Sequence, residues 1–342
     1  MKQLILVTGG TGYIGSHTSV ELIQKGFDVV IIDNLANSKI EVLDKIEQIT
    51  GIRPQFENLD LCDASALRQF FKKYPGLSAI IHFAAYKAVG ESVEQPLKYY
   101  ENNILSIINL LKGMIEFKVP NMVFSSSCTV YGQPDHLPAT ENSPIKKALS
   151  PYGNTKQIDE EILEDCLKAN ANLHCISLRY FNPIGAHPSG LIGELPLGVP
   201  ANLVPFITQT AAGLRKELNV YGNDYNTPDG TAIRDYINVV DLSKAHVIAI
   251  ERLLEARQKS NYEIFNLGTG KGNSVLELIN EFEKATGVKI NYKIVPRRPG
   301  DIEQVWADTK YANEELGWKA ESSLTNTLRS AWNWETKYRS GN

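Results

Sequence analysis

The chain has 342 residues, of which 43% are hydrophobic and 22% charged, and its formal net charge at pH 7 is −4. This length can bury a large core and suggests two domains or one elaborated domain. The mild negative charge, without any long basic run, argues against nucleic acid or an anionic membrane as a partner, and no apolar run approaches the roughly 20 residues of a membrane span.

Cysteine, histidine and N-terminal patterns bear on the compartment and on metals. Met1 leads almost directly into the first strand, so we expect no signal peptide. The four cysteines form no paired motif, which favours a reducing cytoplasm. The six histidines lack the short spacings of metal ligands, and His174 lies in a strand-like run, so we predict no metal site.

The chain begins with the pattern of a dinucleotide-binding unit. An apolar run at 4–8, typical of a buried parallel strand, leads into Gly9, Gly12 and Gly15 and then into a helical pattern at 14–25. Glycines here let backbone N–H groups approach a pyrophosphate at the positive end of a helix. The spacing Gly-x-x-Gly-x-x-Gly differs by one residue from the usual Gly-x-Gly-x-x-Gly fingerprint.

A second strand, predicted at 28–33, adds the acid that such a unit requires. It ends at Asp33, 18 residues beyond Gly15. A carboxylate at this place can accept hydrogen bonds from the adenosine ribose hydroxyls. Because it would repel a 2′-phosphate, we predict NAD rather than NADP as the cofactor.

Strand-like and helix-like segments keep alternating through the first half, which predicts a doubly wound parallel α/β sheet of Rossmann type. Further strands are predicted at 54–59, 79–84, 121–126 and 173–180, with helices at 64–73, 97–117 and 153–169. Ligands of such sheets lie beyond the carboxyl ends of the strands. Small or polar side chains follow five of these ends, among them Asp60, Ala84, Ser125 and Asn182.

The regular alternation of strand-like and helix-like segments stops after residue 182. Residues 183–205 carry several prolines and glycines with little periodicity, which predicts a long loop. Shorter mixed segments follow, with a strand at 263–267 and helices near 240–255 and 274–286. We therefore predict an NAD-binding domain at 1–182 and a smaller mixed α/β substrate domain at 183–342, with the chain crossing back near 235–272.

A tyrosine and a lysine in mid-chain predict acid–base chemistry. Tyr152 and Lys156 stand four residues apart just after Pro151, a residue that favours the start of a helix. Their side chains should share one face of its first turn. A cation beside a phenol stabilises the phenolate and lowers a pKa that is ordinarily about 10. The pair therefore predicts a base that takes a proton from a hydroxyl near neutral pH.

Motifs along the whole chain resemble those of a known family. Besides the glycine loop, Ser127 and the Tyr152–Lys156 pair, the matching runs are 8–16, 87–92, 124–127, 130–132, 150–153, 179–183, 185–190, 234–236, 266–268 and 306–308. Together they resemble the extended short-chain dehydrogenase/reductase superfamily and, within it, the UDP-glucose 4-epimerase family. The runs at 87–92 and 186–190 are more specific than the glycine loop.

This resemblance implies an NAD-dependent isomerase that interconverts UDP-galactose and UDP-glucose through a transient 4-keto intermediate. Tyr152 would be the base and later the acid at the sugar 4-hydroxyl, while Lys156 would lower its pKa and hold the nicotinamide ribose. Ser127 would bind the same hydroxyl and relay the proton. Because net redox change is zero, NAD should stay tightly bound between turnovers.

The resemblance also implies binding residues, position by position. For NAD they are Gly9, Gly12, Tyr13, Ile14, Gly15, Asp33, Asn34, Asp60, Leu61, Phe83, Ala84, Lys87, Asn102, Ser125, Tyr152, Lys156 and Tyr180. For the UDP-sugar they are Ser127, Tyr152, Asn182, Asn202, Leu203, Tyr221, Arg234, Arg298, Asp301 and Val305. The two arginines suit a diphosphate, because guanidinium offers paired donors and a permanent charge.

Two residues depart from the family pattern. Cys128 stands where many epimerases carry alanine, and we expect little effect from this small change. Val305 stands where some members carry a tyrosine that narrows the sugar pocket. Valine leaves room for an acetamido group at C2, so the UDP-N-acetylglucosamine/UDP-N-acetylgalactosamine pair becomes a candidate substrate, unless neighbouring residues fill the gap.

Other functions remain open on the sequence alone. A nucleotide-sugar 4,6-dehydratase would need an Asp-Glu pair beside the active-site hydroxyl, where Cys128 and Thr129 stand instead. A UDP-glucuronate 4-epimerase would need donors near C6, a dehydrogenase would release NADH, and a non-catalytic NAD sensor could dispense with the tyrosine or lysine. By family analogy, helices 97–117 and 153–169 pair two subunits, so we expect a homodimer.

Overall fold

A computed structural model describes residues 2–298 and 301–341. The strands in chain order are β1 (Leu4–Thr8), β2 (Asp28–Asp33), β3 (Gln55–Asn58), β4 (Leu77–His82), β5 (Asn121–Ser127), β6 (His174–Tyr180), β7 (Asn182–Ile184), β8 (Leu218–Tyr221), β9 (Ile233–Asn238), β10 (Tyr262–Leu267), β11 (Gly272–Ser274), β12 (Tyr292–Val295) and β13 (Gln304–Val305). The α-helices are α1 (Tyr13–Gln24), α2 (Val42–Thr50), α3 (Ala64–Lys73), α4 (Val89–Glu94), α5 (Pro96–Phe117), α6 (Pro151–Ala169), α7 (Leu203–Ala211), α8 (Val239–Leu254), α9 (Val275–Thr286) and α10 (Leu324–Ser340).

Within the described residues, seven strands form one parallel sheet in the order β10-β6-β5-β4-β1-β2-β3. The inner strands are apolar and buried on both faces, as expected when helices cover both sides. The strand order reverses beside β1, whose neighbours are β2 and β4. A crevice opens at such a switch point, beyond the carboxyl ends of the strands. The predicted doubly wound α/β fold is confirmed.

The strand and helix patterns of the first half agree closely with the structure, and the later half differs more. The region 183–205 is not wholly irregular, because β7 opens it and α7 begins at Leu203. β10 and α8 belong with the first half in space, since β10 pairs with β6 and α8 packs on α1. The division of the chain into domains at residue 182 stays a prediction.

A smaller sheet lies beside the carboxyl ends of the large one and collects residues distant in sequence. β9 pairs with β7, β11 and β13. Its register sets Arg234 opposite Val305, and Tyr236 opposite Asn182. Three candidate substrate residues, from segments more than fifty residues apart, are thereby placed on adjoining strands.

Buried ion pairs connect β6 and the edge strand β10 of the large sheet to neighbouring helices. The Arg179 guanidinium on β6 donates to both carboxylate oxygens of Glu160 on α6, and the Ser126 hydroxyl donates to the same carboxylate. Arg252 on α8 donates to both oxygens of Glu263 on β10, at 2.7 and 2.8 Å. Buried charges need such complete pairing, so these contacts fix how α6 and α8 sit on the sheet.

Candidate active site

One large cleft of about 1190 Å³ runs from the glycine loop to the smaller sheet. This exceeds the roughly 300–1,000 Å³ of a pocket for one drug-sized ligand, and suits two ligands lying end to end. The candidate residues that line it are Gly9, Gly12, Tyr13, Ile14, Gly15, Asp33, Asn34, Asp60, Leu61, Phe83, Ala84, Lys87, Asn102, Ser125, Ser127, Tyr152, Lys156, Tyr180, Asn182, Asn202, Arg234, Arg298, Asp301 and Val305.

Two candidate substrate residues do not line the cleft. Leu203 is the first residue of α7, and its side chain packs partly buried against the apolar cluster that contains Ile207 and Leu328. Tyr221 ends β8 with 40% of its surface exposed, and the Arg298 guanidinium lies 5.6 Å from its ring centre. Tyr221 is thus next to Arg298, which does line the cleft.

The loop after β1 is shaped for close approach of a ligand to its backbone. Gly9 has φ +68°, and a Cβ there would lie 2.9 Å from the Ala84 nitrogen. A Cβ on Gly15 would lie 2.2 Å from the Gly9 carbonyl oxygen, which is too close for any side chain to fit there. Gly12 precedes α1 without any side-chain cap, so the first N–H groups of the helix remain available to an anion. This cradle fits a pyrophosphate.

Asp33 organises the turn after β2, next to the glycine loop. Its carboxylate accepts from the Thr11 N–H at 3.2 Å, the Leu35 N–H at 2.9 Å and the Ser38 hydroxyl at 3.0 Å. The Asn34 amide donates to Asp60 at 3.2 Å and so links this turn to the end of β3. These bonds bring the acid predicted to hold the ribose to the same wall of the cleft as the cradle.

Tyr152 lies in the first turn of α6, and Lys156 lies one turn further along the same face of the helix, as the four-residue spacing predicts. Pro151 is the first helical residue, and the Ser150 hydroxyl caps the helix by accepting from the Gly153 N–H at 3.1 Å. β5 ends at Ser127, whose hydroxyl interacts with the Tyr152 phenol. The three proposed catalytic side chains thus meet where β5 and α6 border the cleft.

The predicted lowering of the Tyr152 pKa is wrong for the protein without ligands. Burial raises the pKa of Tyr152 to about 12, with smaller upward contributions from Cys128 and Asp159, and the Ser127 hydroxyl only partly opposes the rise. The physical reason is desolvation, which disfavours the charged phenolate. At neutral pH the phenol of Tyr152 therefore keeps its proton.

Lys156 is also held in an apolar setting. Its side chain is only 3% exposed, and its ammonium lies 4.5 Å from the centre of the Phe124 ring on β5. Burial lowers the pKa of Lys156, against the attraction of Asp159 and Glu160. These two acidic neighbours therefore favour the charged form of the ammonium, which burial disfavours.

Glu194 is a cleft residue that the sequence reasoning missed. Its carboxylate accepts from Lys87 at 3.3 Å and from Asn202 at 2.6 Å, a candidate cofactor residue and a candidate substrate residue. Trp334 on α10 holds the Glu194 carbonyl at 3.2 Å. The position of Glu194 inside a glycine- and proline-rich segment gave no signal of this role.

The far end of the cleft carries two arginines in different states. Arg234 is fixed by the carbonyls of Ile233 and Ile302, at 2.8 and 2.7 Å. The Arg298 side chain is 51% exposed and forms a two-point pair with Asp301, at 3.2 and 2.8 Å. The structure thus offers one guanidinium held by backbone carbonyls and one that is half exposed and paired with a carboxylate.

Asp235, also missed from the sequence, holds this end together. It is fully buried, and its carboxylate accepts from the backbone N–H groups of Thr269, Gly270 and Ala307 at 2.9 to 3.2 Å. These bonds keep the strand of Arg234 beside the strand of Val305. Val305 is 1% exposed and packs with Phe181 in a small apolar cluster at the cleft wall.

The described residues contain neither a metal-binding cluster nor a membrane-spanning helix. Across 2–298 and 301–341, no three His, Cys, Asp or Glu side chains lie close enough together to hold a metal ion. None of the helices in those ranges combines the length and apolar character needed to cross a membrane. The four cysteines are unpaired.

Comparisons with known proteins agree with this geometry. Residues 6–331 match a family described as GDP-mannose 4,6 dehydratase. The UDP-glucose 4-epimerase of Yersinia enterocolitica is 49% identical over 97% of each chain. The structure of UDP-glucose 4-epimerase from Bifidobacterium longum, in complex with NAD+ and UDP, is 48% identical over 99% of this chain and 100% of that one, with a TM-score of 0.95.

A UDP-Glc/GlcNAc 4-epimerase from Campylobacter jejuni is similar as well, at 34% identity and a TM-score of 0.84 over 98% of this chain and 99% of that one. Identity near one half over nearly the full length, together with a cleft that unites the glycine cradle, Tyr152 and Arg234, leads to one assignment. The chain belongs to the UDP-glucose 4-epimerase family.

Proposed function

We propose that this protein is a UDP-glucose 4-epimerase that interconverts UDP-galactose and UDP-glucose with bound NAD. The observation that carries the proposal is a single cleft in which Ser127, Tyr152 and Lys156 lie between the glycine cradle and the arginine-bearing smaller sheet. Relatives of this name match the chain from end to end, and a similar structure contains NAD+ and UDP.

The cofactor end of the cleft fits NAD. The cradle at Gly9, Gly12 and Gly15 suits the pyrophosphate, and the carboxylate of Asp33 suits the adenosine ribose and disfavours a 2′-phosphate. Bound NAD supplies a hydride acceptor and donor for C4 of the sugar. The protein's part is to hold both ligands and to exclude water between them.

The proton chemistry belongs to Tyr152 and Ser127. The phenol takes the proton of the sugar 4-hydroxyl as C4 is oxidised, and returns it when C4 is reduced on its other face. The Ser127 hydroxyl, which already interacts with the phenol, holds the reacting oxygen and passes the proton. Lys156 supplies a nearby positive charge from the next turn of the helix.

The smaller sheet would hold the nucleotide and leave the sugar free to turn. Arg234 and Arg298 line this end of the cleft with Asn182 and Asp301, and their guanidinium groups suit a diphosphate. An anchored diphosphate lets the 4-keto sugar swing about its linkage and present either face of C4. This division between a fixed nucleotide and a mobile sugar is what epimerisation without net oxidation requires.

The structure argues against the dehydratase alternative. Elimination of water needs an acid and a base beside the active-site hydroxyl, and the residues after Ser127 are Cys128 and Thr129. Burial raises the pKa of the Cys128 thiol to about 12, so it cannot serve as a base near neutral pH. The match to a dehydratase family reflects the shared fold and cofactor.

Val305 supports a wider substrate range. Its side chain forms part of the cleft wall, opposite Arg234 on the neighbouring strand. The similar protein from Campylobacter jejuni is titled a UDP-Glc/GlcNAc 4-epimerase. We infer that UDP-N-acetylglucosamine and UDP-N-acetylgalactosamine are also interconverted here.

A homodimer and a cytoplasmic location complete the proposal. α5 and α6 pack side by side at the surface of the large sheet, and Leu97 and Ile115 on α5 are 79% and 45% exposed. Pairing these helices between two copies would cover this apolar surface. The cytoplasmic location stays a prediction from the unpaired cysteines, to be checked by cell fractionation.

The purified protein, given UDP-galactose without added NAD, is expected to form UDP-glucose, resolved by chromatography of the product sugars. Stoichiometric NAD should be released when the protein is denatured. Tyr152→Phe should lower kcat by about 10²–10⁴-fold while NAD remains bound, because only the proton acceptor is lost. Accumulation of free NADH instead of UDP-glucose would contradict the assignment.

Val305→Tyr is expected to lower turnover of the acetylated pair at least about tenfold relative to the plain pair, because the ring fills the space of the acetamido group. Val305→Ile, which adds a single methylene, is the control. Turnover of all four sugars gives the answer. A wild-type enzyme that acts on UDP-glucose but ignores UDP-N-acetylglucosamine would refute the wider range.

Sedimentation equilibrium should give a particle of twice the 38.0 kDa chain mass. The reason is that the exposed apolar residues of α5 become covered only when two copies associate. A mass equal to one chain at micromolar concentration would refute the dimer.

A further inference from the structure

A buried carboxyl group without a hydrogen-bond partner lies beside the active-site lysine. Asp159 follows Lys156 by three residues on α6, so the two side chains share a face of the helix. Asp159 Oδ2 lies 4.0 Å from Lys156 Nζ, and the two side chains are 2% and 3% exposed. Asp159 Oδ1 makes no hydrogen bond. Burying a charged group without hydrogen bonds costs free energy, so the position of Asp159 suggests a functional role.

The neighbouring acid makes the contrast clear. Glu160, also buried, is fully engaged by Arg179 and Ser126 and serves to fasten α6 to the sheet. Asp159 has no such partners. Burial raises the pKa of Asp159 to about 7, with a further upward contribution from Glu160, and the charge of Lys156 opposes the rise. Asp159 is therefore not part of the fastening contact.

The other groups around the ammonium cannot replace Asp159 as a counter-charge. On β4, His82 is bound to Thr8 at 2.8 Å, and burial together with Lys156 lowers the pKa of His82 to about 3, so it is neutral. β5 offers the Phe124 ring. Tyr152, one turn back on α6, has a raised pKa and stays neutral as well.

We propose that Asp159 is a positioning residue that keeps Lys156 charged and aligned in the catalytic cleft. The inference deepens the proposed function, on which it rests. Two opposite charges at this separation in a buried site favour each other's ionised forms. Asp159 thereby preserves the positive charge that Lys156 offers to the Tyr152 phenolate. Its Oδ1 is left without a hydrogen bond because the carboxylate faces the lysine.

The direct test follows the proton on Lys156 by NMR of protein labelled at the lysine Cε, with the resonance assigned by its loss in Lys156→Met. Burial lowers the pKa of Lys156 and Asp159 opposes this, so Asp159→Asn should let Lys156 lose its proton at a pH lower by at least about one unit. The alkaline limb of the kcat–pH profile should move by a similar amount.

Two variants separate this role from a merely structural one. Glu161→Gln, on an exposed neighbour of the same helix, should change neither the Lys156 titration nor the profile. Asp159→Glu keeps the charge and should retain the alkaline limb even if kcat falls. An unchanged Lys156 titration in Asp159→Asn would overturn the proposal. Because the NMR readout needs no turnover, this outcome is distinct from a failure of the proposed activity.

Discussion

Desolvation of the catalytic side chains is the constraint on which acid–base chemistry in the cleft depends. Burial raises the pKa of Tyr152 to about 12 and lowers that of Lys156, so it opposes the charged form of both groups. A phenol in this state does not take protons at neutral pH without help. The compensating positive charge comes from the Lys156 ammonium and, when NAD is bound, also from the oxidised nicotinamide. Acid–base activity and cofactor occupancy are thus linked by the same burial.

The fold assembles this site from two sheets. Parallel strands bring the glycine loop, the Asp33 turn and Ser127 to one edge, because their carboxyl ends coincide there. The smaller sheet then adds Arg234 and Val305 through the register of β9 with β13. After β9 has contributed to the smaller sheet, α8 and β10 return to the large one, so that both sheets border the same cleft.

The sequence was most informative where local geometry demands particular residues. The glycines after β1 and the capped start of α6 were predictable, since close backbone approach and helix initiation restrict residue choice. Glu194 and Asp235 were not, because each works through partners distant in the chain. Leu203 was placed in the site by resemblance, yet it turns toward an apolar cluster.

The sequence predicted a lowered pKa for Tyr152, whereas burial raises it. Spacing alone shows that Lys156 follows Tyr152 by one turn, but it does not show how much solvent either side chain loses. Asp159 illustrates the same limit, since an acid within a helical pattern is ordinarily a solvated one, and here it is buried. Burial is a property of the whole fold, so the electrostatics of the site could be derived only from the structure.

The most direct test is the pKa of Tyr152, measured from the ultraviolet absorbance of the phenolate as the difference between wild type and Tyr152→Phe. A midpoint near 12 is expected in protein stripped of cofactor, and a distinctly lower midpoint once NAD is bound. A midpoint at or below the ordinary value of about 10 without cofactor, or no change on adding NAD, would contradict this expectation.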